Sequence, residues 1–254
     1  MKKYIISRLK IIIMNECYIC KKPISGRYYV DVFDHKMCEH HHNNDVVHCS
    51  SCTGFTTKEN PLSDGRYLCS ICMGLTLKPG DSIEPVTATV IKALNKAGFD
   101  DLRQEDITIK VVSAQKLAEI ARFPSINLNN KGITLSSVSL KGIFGGQKKF
   151  NHEIFMLEYL NKIEFAGALA HEMLHAWQLQ NEISMSPKYT EGLCNMGAYL
   201  MWNTLGSSLT RIYLKNLHES PDPIYGDGFR EIYTMYEAWG WKELIENVRA
   251  NKLH

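Results

Sequence analysis

Seven of the eight cysteines in this 254-residue chain fall between Cys17 and Cys72, and with one histidine they form pairs separated by two residues: Cys17-x2-Cys20, Cys38-x2-His41, Cys49-x2-Cys52 and Cys69-x2-Cys72. Two ligands at that spacing can grip one metal from a tight turn, so four pairs supply the eight ligands of two tetrahedral zinc ions. The set Cys49, Cys52, Cys69 and Cys72 is the sharper one, because the gap between its pairs matches the spacing of known four-cysteine zinc sites. The set Cys17, Cys20, Cys38 and His41 is looser, since His35 makes an alternative His35-x2-Cys38 pair and His40 and His42 flank His41. A stretch this small cannot bury enough apolar surface alone, and metal binding supplies much of its folding free energy. Paired cysteines without an evident export signal indicate metal ligands in a reducing compartment, here the cytoplasm, rather than disulfides.

Charge narrows what such a module does. From Cys17 to Leu75 six Lys/Arg balance six Asp/Glu, and the whole chain carries a formal net charge of +2. Seven zinc-bound thiolates on two Zn2+ ions add about −3. A net-acidic module is a poor phosphate binder, so no nucleic-acid partner is expected and a regulatory protein contact is. Both sites have four protein ligands and leave no position for a reacting water. Residues 1–16 read as an N-terminal extension, or as an upstream start with Met14 as the true one. Their apolar runs are broken by Ser7, Arg8 and Lys10, no small-residue cleavage site follows, and they fall short of the ~20 apolar residues of a span. A weak membrane-surface anchor is the rival reading, and stable membrane insertion is not expected.

From about Ser82 the pattern changes. "SIEPVTATVIKALNKAGF" has helical spacing and stops at Gly98, "DITIKVV" alternates like a strand, and "SAQKLAEIAR" is a helix capped by Ser113. "GITLSSVSL" and "HEIFMLEYL" read as strands, the second as a free edge against which a peptide could lie. A long helix opened by Asn161 follows, and helical patterns dominate from Thr190 onward. "LKPGDS" at 77–82 marks the boundary. The domains expected are an extension at 1–16, a two-zinc module at 17–76 and a second domain at 77–254.

The long helix carries His171-Glu172-x-x-His175. Histidines four apart lie one turn apart on the same face, and zinc needs such convergent nitrogens. Glu172 is rotated by one step and can reach a water rather than the metal. The third ligand must come from elsewhere. Glu182 is seven residues past His175, ~10 Å of helical rise, too far to share the metal. Glu191 follows the turn "SMSPKY" at the start of a helix able to pack antiparallel to the first, with Asn195 one turn later placed to orient a histidine. Three protein ligands and one open position is the arrangement of catalytic zinc. "PDPIYGDGFR" at 221–230 reads as a tightly turned segment, with Gly226 and Gly228 permitting the turns, Tyr225 as candidate oxyanion donor, Arg230 as a substrate contact and His218 as rival to Tyr225.

The segments "GALAHEMLHAW", "TEGLCNMGAYLMW" and "PIYGDGFR", in that order behind a zinc module, resemble the plant organ-size-regulator (DA-one type) family of LIM-domain, ubiquitin-activated metallopeptidases and its bacterial relatives. The resemblance runs from Cys17 to about Asn251. It implies a LIM or LIM-like module followed by a gluzincin-type peptidase domain, with His171, His175 and Glu191 as zinc ligands and Glu172 as general base. The chain departs in two places: the family's Glu-Glu-Gly is here Thr190-Glu191-Gly192, and Cys49 trails His41 by more than two residues. Ubiquitin activation is not carried over, since no ubiquitin-interacting helix pattern precedes Cys17.

The resulting expectation is an α+β chain: a small LIM-like or zinc-ribbon module with two structural Zn2+, then a gluzincin-like domain of one small sheet and mainly helices with one catalytic Zn2+. Its expected activity is hydrolysis of a protein or peptide substrate by a zinc-activated water, with Glu172 as base and Tyr225 assisting. The alternative is a zinc-module adaptor whose peptidase-like domain is inactive.

Overall fold

The computed structural model describes residues 15–141 and 147–253. The readings placed on residues 1–14 lie outside it. The chain divides into two compact units, one ending at Cys69 and the other beginning at Ser70.

The first unit is built from three-residue strands. β1 (Tyr28–Val30) pairs antiparallel with β2 (Lys36–Cys38), and β3 (Val46–His48) with β4 (Phe55–Thr57). Its apolar core is small, with Cys17, Met37, Val46 and Phe55 buried. The Asp31 carboxylate joins the two hairpins: it accepts from the backbone N–H groups of Phe33 and His35 in the first turn, and of Phe55 on β4. Burial pushes this carboxyl up, but those donors outweigh it and hold it below its usual range.

The second unit opens with α1 (Ser70–Leu75) and α2 (Glu84–Ala97), which ends on Gly98 at φ 108°, where a side chain would be strained. β5 (Ile107–Val112) leads into α3 (Ala114–Ala121), whose Ser113 cap accepts from the Lys116 N–H. The hairpin β6 (Gly132–Lys141) and β7 (Gln147–Leu157) follows, then α4 (Lys162–Gln180), α5 (Pro187–Leu205), α6 (Ser208–His218) and α7 (Tyr225–Arg249), the last broken at Gly240. Seven helices and small sheets among the described residues make this an α+β fold. None of those helices is long and apolar enough to cross a membrane.

The sheet order is β5-β7-β6, with β7 parallel to β5 and antiparallel to β6. "IFMLEYL" is therefore not a free edge: its first four residues, Ile154 to Leu157, close the central strand, and β6 is an edge. The physical reason is visible in the sequence, because Ile154, Phe155, Met156 and Leu157 are all buried, as in a strand covered on both faces.

α4 is the spine of the core. The Asn161 side chain accepts from the N–H groups of Ile163 and Glu164, the capping that opens the helix. α5 starts at Pro187 behind the Ser186 cap. The two helices run antiparallel at close range. Trp202 lies against Gly167, Asn195 against His171, and the Thr190 carbonyl against Gln178, so positions rise on one helix as they fall on the other. Small residues make this possible: a Cβ on Gly197 would sit 2.9 Å from the Ala170 carbonyl oxygen.

Candidate metal centres

Cys17, Cys20, Cys38 and His41 converge into one group of potential metal ligands, and Cys49, Cys52, Cys69 and Cys72 into another. The Sγ atoms of Cys52 and Cys69 are 3.6 Å apart and those of Cys20 and Cys38 4.0 Å. A tetrahedral zinc with thiolate bonds of about 2.3 Å has ligand edges of about 3.8 Å, so both groups have the size of such a site. In the first group His41 Nδ1 faces the Asp45 carboxylate at 2.8 and 3.0 Å. That partner places the ring proton on Nδ1 and leaves Nε2, buried and without a hydrogen-bond partner, as the lone pair for a metal. The competing histidines are engaged elsewhere. His35 bonds Asp31 and stacks on Tyr18, and His42 stacks on Tyr29, both at centroid distances of 3.9 Å. The two groups fit a zinc module.

A third set of ligand atoms forms between α4 and α5. His171 Nε2 and His175 Nε2 are 3.2 Å apart, and Glu191 Oε2 lies 3.2 Å from the first and 3.4 Å from the second. Zinc bonds of about 2.0–2.1 Å in a tetrahedron give ligand edges of about 3.3 Å, so these atoms already outline one face of such a site. Asn195 Oδ1 accepts from His171 Nδ1 at 3.0 Å, and its Nδ2 donates to the Tyr225 carbonyl at 2.9 Å. With the proton on Nδ1, His171 turns a lone pair toward Glu191 and His175. Glu191 Oε2 is buried without a hydrogen-bond partner. Burial pushes its carboxyl up, yet without a metal the two imidazoles, when protonated, donate to it and lower it to about 2. A lone pair, a second imidazole and an ionised carboxylate facing one point form a donor set suited to a divalent cation.

Cys194, one turn after Glu191, was not among the expected ligands. Its sulfur lies within 4.8 Å of a ring nitrogen of both His171 and His175. It is fully buried, receives a hydrogen bond from Gln178 Nε2 at 3.0 Å, and burial pushes its thiol up. The spacing Glu191-x-x-Cys194 on one helix was the available signal. Glu182, set aside on distance, pairs with Lys148.

Glu172 is buried beside the ligand set. Thr134 Oγ1 on β6 donates to its Oε2 at 2.8 Å. Gly132 on the same strand makes room for it, since a Cβ there would meet Glu172 Cγ at 2.9 Å and Oε1 at 3.1 Å. Neither residue was expected at the site, and no local pattern marks them.

Tyr225 lies beside the ligand set, its ring 6.4 Å from that of His171 and nearly parallel to it. Burial, then the nearby carboxylates of Glu191 and Glu172, push its phenol up to about 12, so it keeps its proton. The Asp222 carboxylate fixes the start of α7 by accepting from the N–H groups of Ile224 and Tyr225, both at 2.8 Å. The reading of Gly226 and Gly228 as turn formers is corrected: both lie inside α7. They are glycines because backbone crowds them, the Ser220 carbonyl oxygen 2.3 Å from a Cβ on Gly226 and that of Lys188 2.1 Å from one on Gly228. Arg230 is not free for substrate either. It donates to the carbonyls of His218 and Ser220 and pairs with Asp227. His218, the rival to Tyr225, packs among Tyr199, Phe229 and Tyr233.

Comparison with known proteins gives relatives along nearly the whole chain. It is 23% identical to the Arabidopsis thaliana protein DA1-related 7 over an alignment covering 92% of this chain and 52% of that one. To Arabidopsis protein DA1 it is 22% identical over 84% of this chain and 50% of the relative. To the rice LIM domain-containing protein HDR3 it is 20% identical, over 84% and 55%. The chain is thus similar to DA1-type proteins, and it spans about half their length. No family model and no solved structure matches.

Proposed function

We propose that this chain is a zinc metallopeptidase of gluzincin type, with its N-terminal zinc module serving protein contact or regulation. The single observation that carries this reading is the converging set of His171 Nε2, His175 Nε2 and Glu191 Oε2, with Glu172 held beside it by Thr134. A zinc ion held by those three atoms supplies Lewis acidity, which polarises a carbonyl and makes a water acidic. The rest of the chemistry belongs to the chain. Glu172 takes a proton from water and passes it to the leaving amine, and Thr134 fixes the carboxylate for both transfers. Asn195 keeps the His171 ring in its ligating tautomer. Tyr225, protonated throughout the neutral range, donates to the oxygen on which charge develops. Edge strand β6 bears Gly132 and Thr134 beside Glu172, and its unpaired backbone groups suit an extended peptide added as a further strand. The substrate class is accordingly a protein segment in extended form.

The test is to incubate the purified chain, zinc-loaded or chelator-treated, with a peptide library from a whole proteome and to read new termini by mass spectrometry. Termini that appear with zinc and vanish with chelator support the reading. If neither sample yields new termini, the reading fails and the second domain is a scaffold beside a zinc-module adaptor.

A further inference from the structure

We infer that Leu179, Val138 and Leu140 form an apolar strip that receives the side chains a protein substrate carries about three to seven residues before the scissile bond. The inference rests on the peptidase reading and adds to it the residues that choose the substrate. Three contacts fix how the β6–β7 hairpin lies along α4. Lys131, just before β6, pairs with Glu164, Thr134 Oγ1 bonds Glu172, and Lys148, the register partner of Leu140, pairs with Glu182. Strand positions thus rise as helix positions rise, and Leu179 falls at the level of Val138. Leu179 follows Glu172 by two helical turns, so both side chains leave α4 on the side of the hairpin. Thr134, Ser136, Val138 and Leu140 alternate onto one face of β6, the face that meets Glu172. Along that face Val138 is 48% exposed and Leu140 72%, and on the helix beside them Leu179 is 41% exposed. Ser136, the rung between Thr134 and Val138, is tied to the fully buried His152 by a 2.7 Å hydrogen bond. The strip therefore begins about 14 Å along the edge from Thr134.

The occupant follows from where the strip lies. A segment that pairs with β6 passes Glu172 at one end and the strip at the other, because both belong to the same edge. β6 runs away from Glu172, and antiparallel pairing is the commoner and slightly more stable mode. A segment paired in that way lays its N-terminal residues over the strip and its C-terminal residues by Glu172. Alternation sends every second side chain of the segment to the face that carries Val138 and Leu140. A second copy of this chain is the poorer occupant. The same edge carries Ser136, Ser137 and Ser139, and three partly exposed side chains fall well short of the ~800 Å2 per partner of a stable interface.

Two measurements test the strip. In the library experiment the cut sites are aligned on the scissile bond. The expected result is an enrichment of large aliphatic and aromatic residues before the cut, lost in the triple variant Leu179→Gln, Val138→Thr, Leu140→Thr with metal content unchanged. Cutting without that enrichment, or with enrichment only after the cut, overturns the inference and leaves the peptidase reading standing. Binding is read apart from hydrolysis, by fluorescence anisotropy on the zinc-loaded full-length Glu172→Gln chain. The probes are a labelled peptide of about twelve residues with leucine at alternate positions of its N-terminal half, and a twin with serine at those positions. The leucine probe is expected to bind about tenfold more tightly, since each leucine buries apolar area that serine lacks, and the triple substitution brings the two probes together. Equal affinity for the two probes on the unsubstituted strip overturns the inference even if the triple variant fails to fold. A leucine preference in a protein whose Glu172 form hydrolyses nothing would keep the strip as a peptide site and remove the peptidase reading. Sedimentation of the unaltered chain covers the remaining occupant: a dimer that the triple substitution dissolves would assign the strip to self-association and overturn the inference.

Discussion

Gly132→Ala is the most informative substitution outside the ligand set. The new Cβ would lie 2.9 Å from Glu172 Cγ, 3.1 Å from its Oε1 and 3.1 Å from Met156 Sδ. Ordinary contacts of this kind need several tenths of an ångström more, and Met156 is itself fully buried with little room to retreat. Glu172 therefore shifts by about half an ångström or more, against the Thr134 hydrogen bond that holds it. A misplacement of about 1 Å costs about a hundredfold in rate, so the expected loss of turnover is about ten- to a hundredfold. Overpacking costs about 1–3 kcal/mol of stability, which a thermal melt reads directly. The three atoms nearest that Cβ belong to Glu172 and Met156 and none to a ligand side chain, so metal content should stay unchanged. The assay is hydrolysis of a quenched fluorescent peptide taken from the cleaved library, with metal counted by plasma mass spectrometry on the same preparation. Turnover within twofold of the unaltered chain would refute the placement of Glu172. So would a metal loss that tracks the activity loss, which would mean the strand acts on the ligands instead.

Tyr225→Phe should lower turnover by about two to three orders of magnitude with metal content and melting temperature unchanged, the size expected for one lost oxyanion donor; a near-normal rate would remove Tyr225 from the chemistry. Gly228→Ala places a Cβ 2.1 Å from the Lys188 carbonyl oxygen, and backbone cannot yield as a side chain does, so α7 and α5 must part. The expected cost is about 3 kcal/mol or more, seen as a lower denaturation midpoint; an unchanged midpoint would show that the close approach is not needed. Asp31→Ala strips acceptors from the N–H groups of Phe33, His35 and Phe55. At about 1–3 kcal/mol for each buried donor left unpaired, zinc should leave the module while the His171 centre keeps its own ion, as chelator titration followed by metal analysis would show.

Much of the site was legible because it is written locally. The Cys-x2-Cys pairs, His171 and His175 one turn apart, and the Asn161 and Ser113 caps all depend on neighbours within a turn or so of chain. Glu191 required only that a short connection fold the next helix back. What was misread or missed depends on distant contacts. Gly132 and Thr134 meet Glu172 across about 40 residues of chain, and nothing in "GITLSSVSL" announces that contact. Gly226 and Gly228 were ambiguous in kind, since a glycine can be needed for its backbone freedom or for its missing side chain, and packing alone decides. The centrality of β7 was available in the unbroken apolar run Ile154 to Leu157, which an edge strand exposed on one face would have interrupted. Cys194 was overshadowed by the seven clustered cysteines, although its i+3 relation to Glu191 placed it on the same helical face.

The central claim is that His171, His175 and Glu191 hold a metal for which Glu172 serves as the base. The direct measurement compares the purified chain with Glu172→Gln, counting metal per chain and following chelator-sensitive peptide hydrolysis in both. Glutamine preserves the shape and the Thr134 hydrogen bond but cannot accept the proton. The account expects three metal ions in each protein, hydrolysis by the unaltered chain and none above background by the variant. Equal hydrolysis by the two proteins would contradict it.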